Sequence, residues 1–492
     1  MLYRVTLTSP KTAEHGQAVL AVDQGTSGTK ALVVTREGRI LGLGEVAVQV
    51  TSPSPGLAEV DPSELLASVL IASRKAIAQA GVPISAVSLS NQGETVMAWD
   101  PATGTPLSPM LVWHDRRAES VCESLGQVQE LQQISGLPMD SYFAGPKMAW
   151  IRQHLHRNGV VTTSDVWLVH QLTGELVTDA STASRTMLLD IETGQWSPRA
   201  LEILGMTAEL LPEVVDSAGI IGYTNELTGA PLPLAGLIVD QQAALAGHGC
   251  VAAGEAKCTY GTGAFLLTHT GGALVRTDGA MIGSIAWQLA GRRDYCLDGQ
   301  VLTVGSALRW LVDIGILPDA QSLDLVAGSV VSSDGLVFVP SFAGLAAPTR
   351  NPKARAQLTG MTLSHGAGHI ARAFVEGIAV LVTGLIAGSA AVTGQRLRVL
   401  RVDGGLTSSA VLMQAQADIA QLRIEVHTSP HATALGAVIL GFAGIEGSDN
   451  LDDFVNRQAP SAVYEPKMSA DRAAEIFGEV MAVATSTNGG RR

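Results

Sequence analysis

Cysteine is scarce in this 492-residue chain: only Cys122, Cys250, Cys258 and Cys296 occur, and no two form a C-x-x-C pair. That excludes a disulfide framework and argues against a cysteine-built zinc site; it fits a reducing compartment, so a cytoplasmic location is expected. Positive charge is also short, with 32 Lys and Arg against 45 Asp and Glu and a formal net charge of −13. Such a surface repels nucleic acid and anionic membrane, and neither is expected as a partner. Residues 1–17 lack the basic start and unbroken apolar run of a secretory signal, because Thr6, Thr8, Ser9, Lys11 and Glu14 interrupt them, and they read as a loose tail. One uncharged tract, Gly377 to Gln395, is long enough to span a bilayer. Its apolar pattern runs back past Arg372 and Glu376, however, and it is rich in Gly, Ala, Ser and Thr, so a helix buried against a sheet, from about His369 to Ala391, is the expected reading. No G-x-x-x-x-G-K-[ST] loop is present, so any phosphate site must be built differently.

What the chain does contain is a pair of glycine-turned hairpins. The first runs from Ala18 to Val22, through Asp23-Gln24-Gly25-Thr26-Ser27-Gly28, to Ala31 to Val34; the second runs from Ala256 to Tyr260, through Gly261-Thr262-Gly263, to Ala264 to Thr268. Each carries a Gly-Thr turn followed by a long stretch of mixed strand and helix signals, the mark of a duplicated domain with its boundary near Gly247 to Gly254. Further strands end in polar groups: Ala86 to Ser90 before Asn91, Leu111 to Trp113 before His114, Gly236 to Val239 before Asp240, and Leu397 to Val402 before Asp403-Gly404-Gly405. Helices are expected from about Pro62 to Ala80 and Ser408 to Ala420. Strands alternating with helices give an α/β fold, in which ligands gather beyond the carboxyl ends of the strands.

The first turn combines a carboxylate, hydroxyls, glycines and Lys30, which suits a phosphate chain with its magnesium ion; a plain hairpin turn is the competing reading. The second turn repeats this without the carboxylate, and Asp403-Gly404-Gly405 sits between a strand and a helix start, where backbone N–H groups can take a phosphate. Three such turns point to a nucleotide gripped between two domains. Asp240 follows an apolar strand and could accept the proton of a hydroxyl attacking a γ-phosphate, or cap the helix after it, or both.

At this point the chain, from about Ala18 to Gly441, resembles the FGGY carbohydrate kinase family, above all its glycerol-phosphorylating branch. The similar stretches are the Asp23 turn, Asn91-Gln92 with Glu94-Thr95, Trp113 with Arg116-Arg117, Tyr142-Phe143 with Lys147 and Trp150, and Asp165 with Trp167-Leu168. They continue through Thr182 to Leu188, Asp240 to Leu245, Thr259 to Gly263, Pro340 to Pro348, Arg401 to Gly405 and Ala434 to Ala437. The resemblance implies two actin-like, ribonuclease-H-like domains closing on a cleft, over residues 18–247 and 248–492. It implies ATP and Mg2+ as cofactors, a small polyol or sugar as the partner, and a homodimer or homotetramer as the assembly. Asp240 is then the general base and Asp23 the magnesium residue. Gly25, Thr26, Ser27, Lys30, Gly261 and Thr262 face the phosphates, while Gly305, Arg309, Gly404, Gly405 and Ser409 line the adenosine site. Gly93, Glu94, Trp113, Tyr142, Asp240, Gln241 and Phe265 frame the acceptor.

The chain also departs from that branch. Gly93 stands where an arginine binds polyol hydroxyls, which opens the acceptor to four- or five-carbon polyols and ketoses as well as glycerol. Ser409 replaces an asparagine, Arg309 a glutamine and Thr349-Arg350 an aromatic pair. The segment before Asp240 lacks the basic glycine-rich loop that serves fructose-bisphosphate control, so that regulation is not expected. Two rival functions fit parts of the sequence. An NAD-linked dehydrogenase rests on the G-x-G-x-x-A at Gly247 to Ala252, which follows a helix rather than opening one. A sugar- or nucleotide-responsive sensor would keep the fold and release no ADP. His365 and His369 have the spacing of a helical metal pair, but Gly366 and Gly368 place them at a loop and helix start. Asp115-Arg116-Arg117 reads as a solvated helix start.

Overall fold

A computed structural model describes residues 17–155, 158–277, 281–347, 349 and 351–486. The expected tail, apart from Gln17, lies outside the described residues, as do Pro348 and Arg350.

Two sheets organise the described residues. In the six-stranded sheet, Ala18–Gly25 pairs antiparallel with Gly28–Thr35, which pairs antiparallel with Ile40–Ala47. On its other side Ala18–Gly25 pairs in parallel with Ala86–Asn91, which pairs in parallel with Leu232–Val239. The seven-stranded sheet repeats this plan. Ala256–Tyr260 pairs antiparallel with Ala264–Gly271 and, through it, with Arg292–Val301; it pairs in parallel with Val399–Asp403 and, through it, with Arg423–Val426. Both expected hairpins are present, each as the first two strands of its unit. The expected strand at Leu111 to Trp113 is shorter, Met110–Leu111, and Trp113 stands beyond its end.

Helix Pro62–Ala80 opens on the Asp61 cap, whose carboxylate accepts the Ser63 N–H at 2.7 Å, and closes on left-handed Gly81. It lies so close on the first sheet that a Cβ on Gly42 or Gly44 would sit 2.0 Å from a helix carbonyl. Helix Ala367–Thr393, which contains all but the last two residues of the bilayer-length tract, is the core helix behind the second sheet, with Phe374, Val375, Ile378, Ala379 and Leu385 buried. Its start is held by His369, whose Nδ1 accepts the Gly366 N–H, while His365 Nδ1 accepts the Thr362 N–H. The two histidines are thus engaged in shaping the turn into this helix.

The helices that follow the fifth strand of each unit, Asp240–Gly247 and Ala432–Glu446, cross one another. Glycine makes the crossing tight: a Cβ on Gly436 would lie 1.7 Å from the Ala243 carbonyl, and one on Gly247 would lie 1.9 Å from that of Ala432. Helix Ala432–Glu446 also covers the first sheet, packing with Val19, Ala21, Leu32, Ala86 and Ile238. A division at residue 247 therefore divides the chain but not the core. One surface expectation is corrected here: Asp115 is fully buried, and Arg117 bonds it at 2.8 Å and Glu59 at 2.7 Å, because the neighbouring carboxylates compensate the arginine's loss of water.

Candidate active site

Asp240 is the first residue of its helix, with Val239 rather than Asp240 in the cap position. Its Oδ1 accepts the N–H of Gln241 at 2.7 Å, and no protein hydrogen bond reaches Oδ2 among the described residues. Burial, with Glu94 and Asp23 adding negative charge nearby, pushes this carboxyl up to about 7, although the Gln241 N–H and Lys257 pull the other way. A carboxylate tuned to that range is suited to take and return a proton near neutral pH.

The residues expected to frame the acceptor come from both units. Glu94 is buried in a left-handed backbone conformation at φ 57, and its Oε1 accepts the Nε–H of Arg185 at 2.5 Å. Arg185 in turn reaches Asp298 of the second sheet at 3.4 Å, and its guanidinium lies 5.8 Å from the Tyr142 ring centre and 5.2 Å from that of Phe143. Arg185 Nη1 and Asp298 Oδ1 are buried without partners. Trp113 meets Tyr142 edge-on at 5.6 Å, and its Nε1–H donates to Thr26 Oγ1 at 2.9 Å, tying this pair of rings to the first glycine turn. Lys147, fully buried, donates to the carbonyls of Ser141, Tyr142 and Phe143, and burial pulls its ammonium down to about 7. Phe265 stands on the second sheet opposite Thr259, and Gln241 Oε1 accepts from Lys257 Nζ at 2.8 Å. At Gly93 a Cβ would sit 2.9 Å from Val239 Cγ2, so the valine occupies part of the space that a side chain at 93 would need.

The glycine turns interlock through backbone. A Cβ on Gly404, at φ 96, would meet the Tyr260 carbonyl at 2.3 Å, and one on Gly305 would meet that of Gly261 at 2.6 Å. Gly405, by contrast, has nothing within 4 Å of its Cβ position, so its face is open to a ligand, as are exposed Thr262, Ser27 and Arg309 beside the partly exposed Gly25 and Gly261. Ser409 caps helix Ala410–Ala420 by accepting the Leu412 N–H at 3.1 Å and donates its hydroxyl proton to Asp324. Asp23 pairs in register with Lys30, and burial lifts its carboxyl to about 6 against the pull of that lysine. No cluster of three acidic, His or Cys ligands occurs among the described residues. A lone, desolvated carboxylate beside open glycine turns fits magnesium, which keeps several waters and takes its remaining oxygens from phosphate.

Sequence reasoning named Arg185 only within a motif and missed Lys257 and Asp298. Lys257 precedes the second turn by a few residues, on the central strand of the second sheet, where it is fully buried and meets Gln241 of the first unit. A separate cavity of about 220 Å³ lies at the far end of the Asp240 helix, lined by His248, His427, Phe442 and Phe454.

The model for the N-terminal domain of the FGGY family of carbohydrate kinases matches residues 18–247, and the model for its C-terminal domain matches residues 256–445. The chain is 39% identical over 474 residues to a glycerol kinase of Alkalilimnicola ehrlichii, covering 92% of this chain and 94% of that protein. It is 39% identical over 472 residues to a glycerol kinase of Aromatoleum aromaticum, covering 92% and 95%. Among solved structures, the glycerol kinase of Plasmodium falciparum with ADP superposes with a TM-score of 0.91 at 30% identity, covering 97% of this chain and all of that one. The chain belongs to the FGGY family of carbohydrate kinases and is a phosphotransferase with an alcohol group as acceptor.

Proposed function

We propose that this kinase moves the γ-phosphoryl group of ATP, with Mg2+, to a terminal hydroxyl of glycerol or of a four- to five-carbon polyol or ketose, with the longer acceptors preferred. The observation that carries the reading is the Asp240 carboxyl, raised to about 7, with Oδ1 held by the Gln241 N–H and Oδ2 left for an acceptor hydroxyl. Bound ATP and Mg2+ supply the electrophilic phosphorus and neutralise its oxygens. Asp240 takes the hydroxyl proton as the oxygen attacks. Thr26, Lys30 and Thr262 would face the phosphates, and Asp23 would hold the metal, directly or through water. Glu94 and Tyr142 position the acceptor chain, with Trp113 and Phe265 excluding water.

Preference for a longer acceptor rests on what the pocket leaves unmatched. With Gly93 and Val239 in place of a cationic side chain, the wall nearest Asp240 is apolar, and glycerol finds fewer donors there. Behind Glu94, buried Arg185 Nη1 is an unmatched donor and buried Asp298 Oδ1 an unmatched acceptor, groups that an additional hydroxyl can pair with once the acceptor chain reaches them. A coupled ADP-release assay over glycerol, erythritol, xylitol, ribitol, xylulose and ribulose tests this. A higher kcat/KM for at least one longer acceptor is expected, by a modest factor of about 5–100. Glycerol outranking every longer acceptor would overturn the preference, and no ADP release with any of them would overturn the reaction.

A further inference from the structure

Lys257 lies on Ala256–Tyr260, the central strand of the second sheet, and its side chain is fully buried. Its ammonium makes two bonds, to Gln241 Oε1 at 2.8 Å and to Thr259 Oγ1 at 3.1 Å. Gln241 belongs to the other unit, on the helix that Asp240 begins. An ammonium has three donors and no acceptor, so it bonds the carbonyl end of an amide and rejects the NH2 end. Without the lysine the two ends of a glutamine amide differ little in shape and exchange by a half-turn. With it, Oε1 is committed and Nε2 is turned away; among the described residues Nε2 has no protein acceptor, and Gln241 is only partly buried, one residue from the base.

We propose that Lys257 is a positioning residue for acceptor recognition, which reaches across the two units to hold the Gln241 amide so that it offers two N–H donors, and no acceptor, to the substrate beside Asp240. This rests on the function proposed above and deepens it. The group next to the attacking hydroxyl must then accept hydrogen bonds: the oxygen of a neighbouring hydroxyl, or the carbonyl of a ketose, and not an ammonium or amide N–H. Because holder and held residue come from different units, the acceptor pocket is completed only when the units are docked.

Lys257→Met removes the charge at nearly constant length. It should raise the acceptor KM roughly 10–100-fold while changing kcat and the ATP KM much less, since a bond to a charged group is lost and the amide becomes free to turn. Acceptor affinity without nucleotide, read from intrinsic tryptophan fluorescence through Trp113, should weaken by the same factor. Gln241→Leu should raise the acceptor KM similarly, and the double variant should be no worse than Gln241→Leu alone, because the lysine acts through the glutamine. Lys257→Gln, which keeps a donor, serves where Lys257→Met does not fold and should fall between wild type and Gln241→Leu. Unchanged acceptor KM and affinity in the folded lysine variant, or fully additive effects in the double variant, would overturn the assignment. Failure of the wild type to phosphorylate any polyol or ketose would instead overturn the function on which it rests.

Discussion

The two hairpins occupy equivalent places, yet their carboxylates sit on opposite members of the same strand pair. In the first sheet Asp23, on the central strand, lies in parallel register with Ser90; in the second, Thr259 takes the central place and Asp403 the neighbouring one. Their surroundings differ more than their positions. Burial lifts Asp23 to about 6 with only Lys30 to oppose it, and the Ser90 hydroxyl beside it has no partner. Burial also works to raise Asp403, but His248 at 3.3 Å, Lys257 and the Thr259 hydroxyl outweigh it and hold that carboxyl far below the ordinary carboxylate range. The fifth strands repeat the contrast: the helix of the first unit begins with Asp240, whereas Ala432–Glu446 has no acid in its first turn. Burial thus holds Asp23 and Asp240 of the first unit above the ordinary carboxylate range, whereas its neighbours hold Asp403 of the second below it.

The sharpest way to break the comparison is at the base. Asp240→Asn should lower kcat by about 10²–10⁴-fold, because an amide cannot take the proton. Single-turnover ADP release measures this, and near wild-type kcat would remove Asp240 from the mechanism. Next in size is Asp23→Asn, which should raise the magnesium concentration for half-maximal rate by roughly 10–100-fold. Asp403→Asn should instead cost about 1–3 kcal/mol of stability, by leaving His248 and Lys257 without their carboxylate, and should leave the magnesium dependence unchanged. Equal effects of the two asparagine variants on magnesium titration and on urea melts would erase the distinction.

The pH dependence carries opposite signs in the two units. Asp240 and Asp23 are raised, so the folded chain holds protons that the unfolded chain releases, and their contribution to stability is lost as pH rises through about 6 and 7. Asp240→Asn should therefore raise the apo melting temperature at pH 8 and much less at pH 4, the reverse of its effect on turnover. The depressed Asp403 contributes stability that is present above the ordinary carboxylate range and lost as pH falls below it. The wild-type rate at low acceptor concentration should climb to a half-maximum near pH 7. A rate flat from pH 5 to 8 would show that Asp240 does not titrate there.

The smallest expected effect is at Gly93. Gly93→Arg alone must displace Val239 Cγ2, whereas the same change combined with Val239→Ala has room and should shift preference toward glycerol by roughly 5–50-fold in kcat/KM ratio. No shift in the double variant would show that other residues set acceptor length.

Hairpins, glycine turns and the Asp240 strand end could be read from the sequence because each is local: alternating apolar residues and a turn composition suffice. The swap of Asp23 and Asp403 could not, since it depends on which strands become neighbours across long insertions. The same holds for Lys257 against Gln241, Arg185 against Asp298 and Val239 against Gly93, each a meeting of residues far apart in the chain or across a turn of backbone. Asp240 was expected as a possible cap and is the first helical residue instead, a shift of one position that composition does not resolve. Asp115 looks solvated in the sequence because the groups that bury it, the Ala58 N–H and the Glu59 carboxylate that shares Arg117 with it, are remote in sequence.

The crossing of Asp240–Gly247 by Ala432–Glu446 sets an order of events during synthesis. The first sheet can pair its strands once residue 239 has emerged, but the face bearing Val19, Ala21, Ala86 and Ile238 keeps its apolar side uncovered until residues 432–446 leave the ribosome. The half made first is thus the half finished last. A chain interrupted after the first unit would expose an apolar sheet face rather than a competent domain.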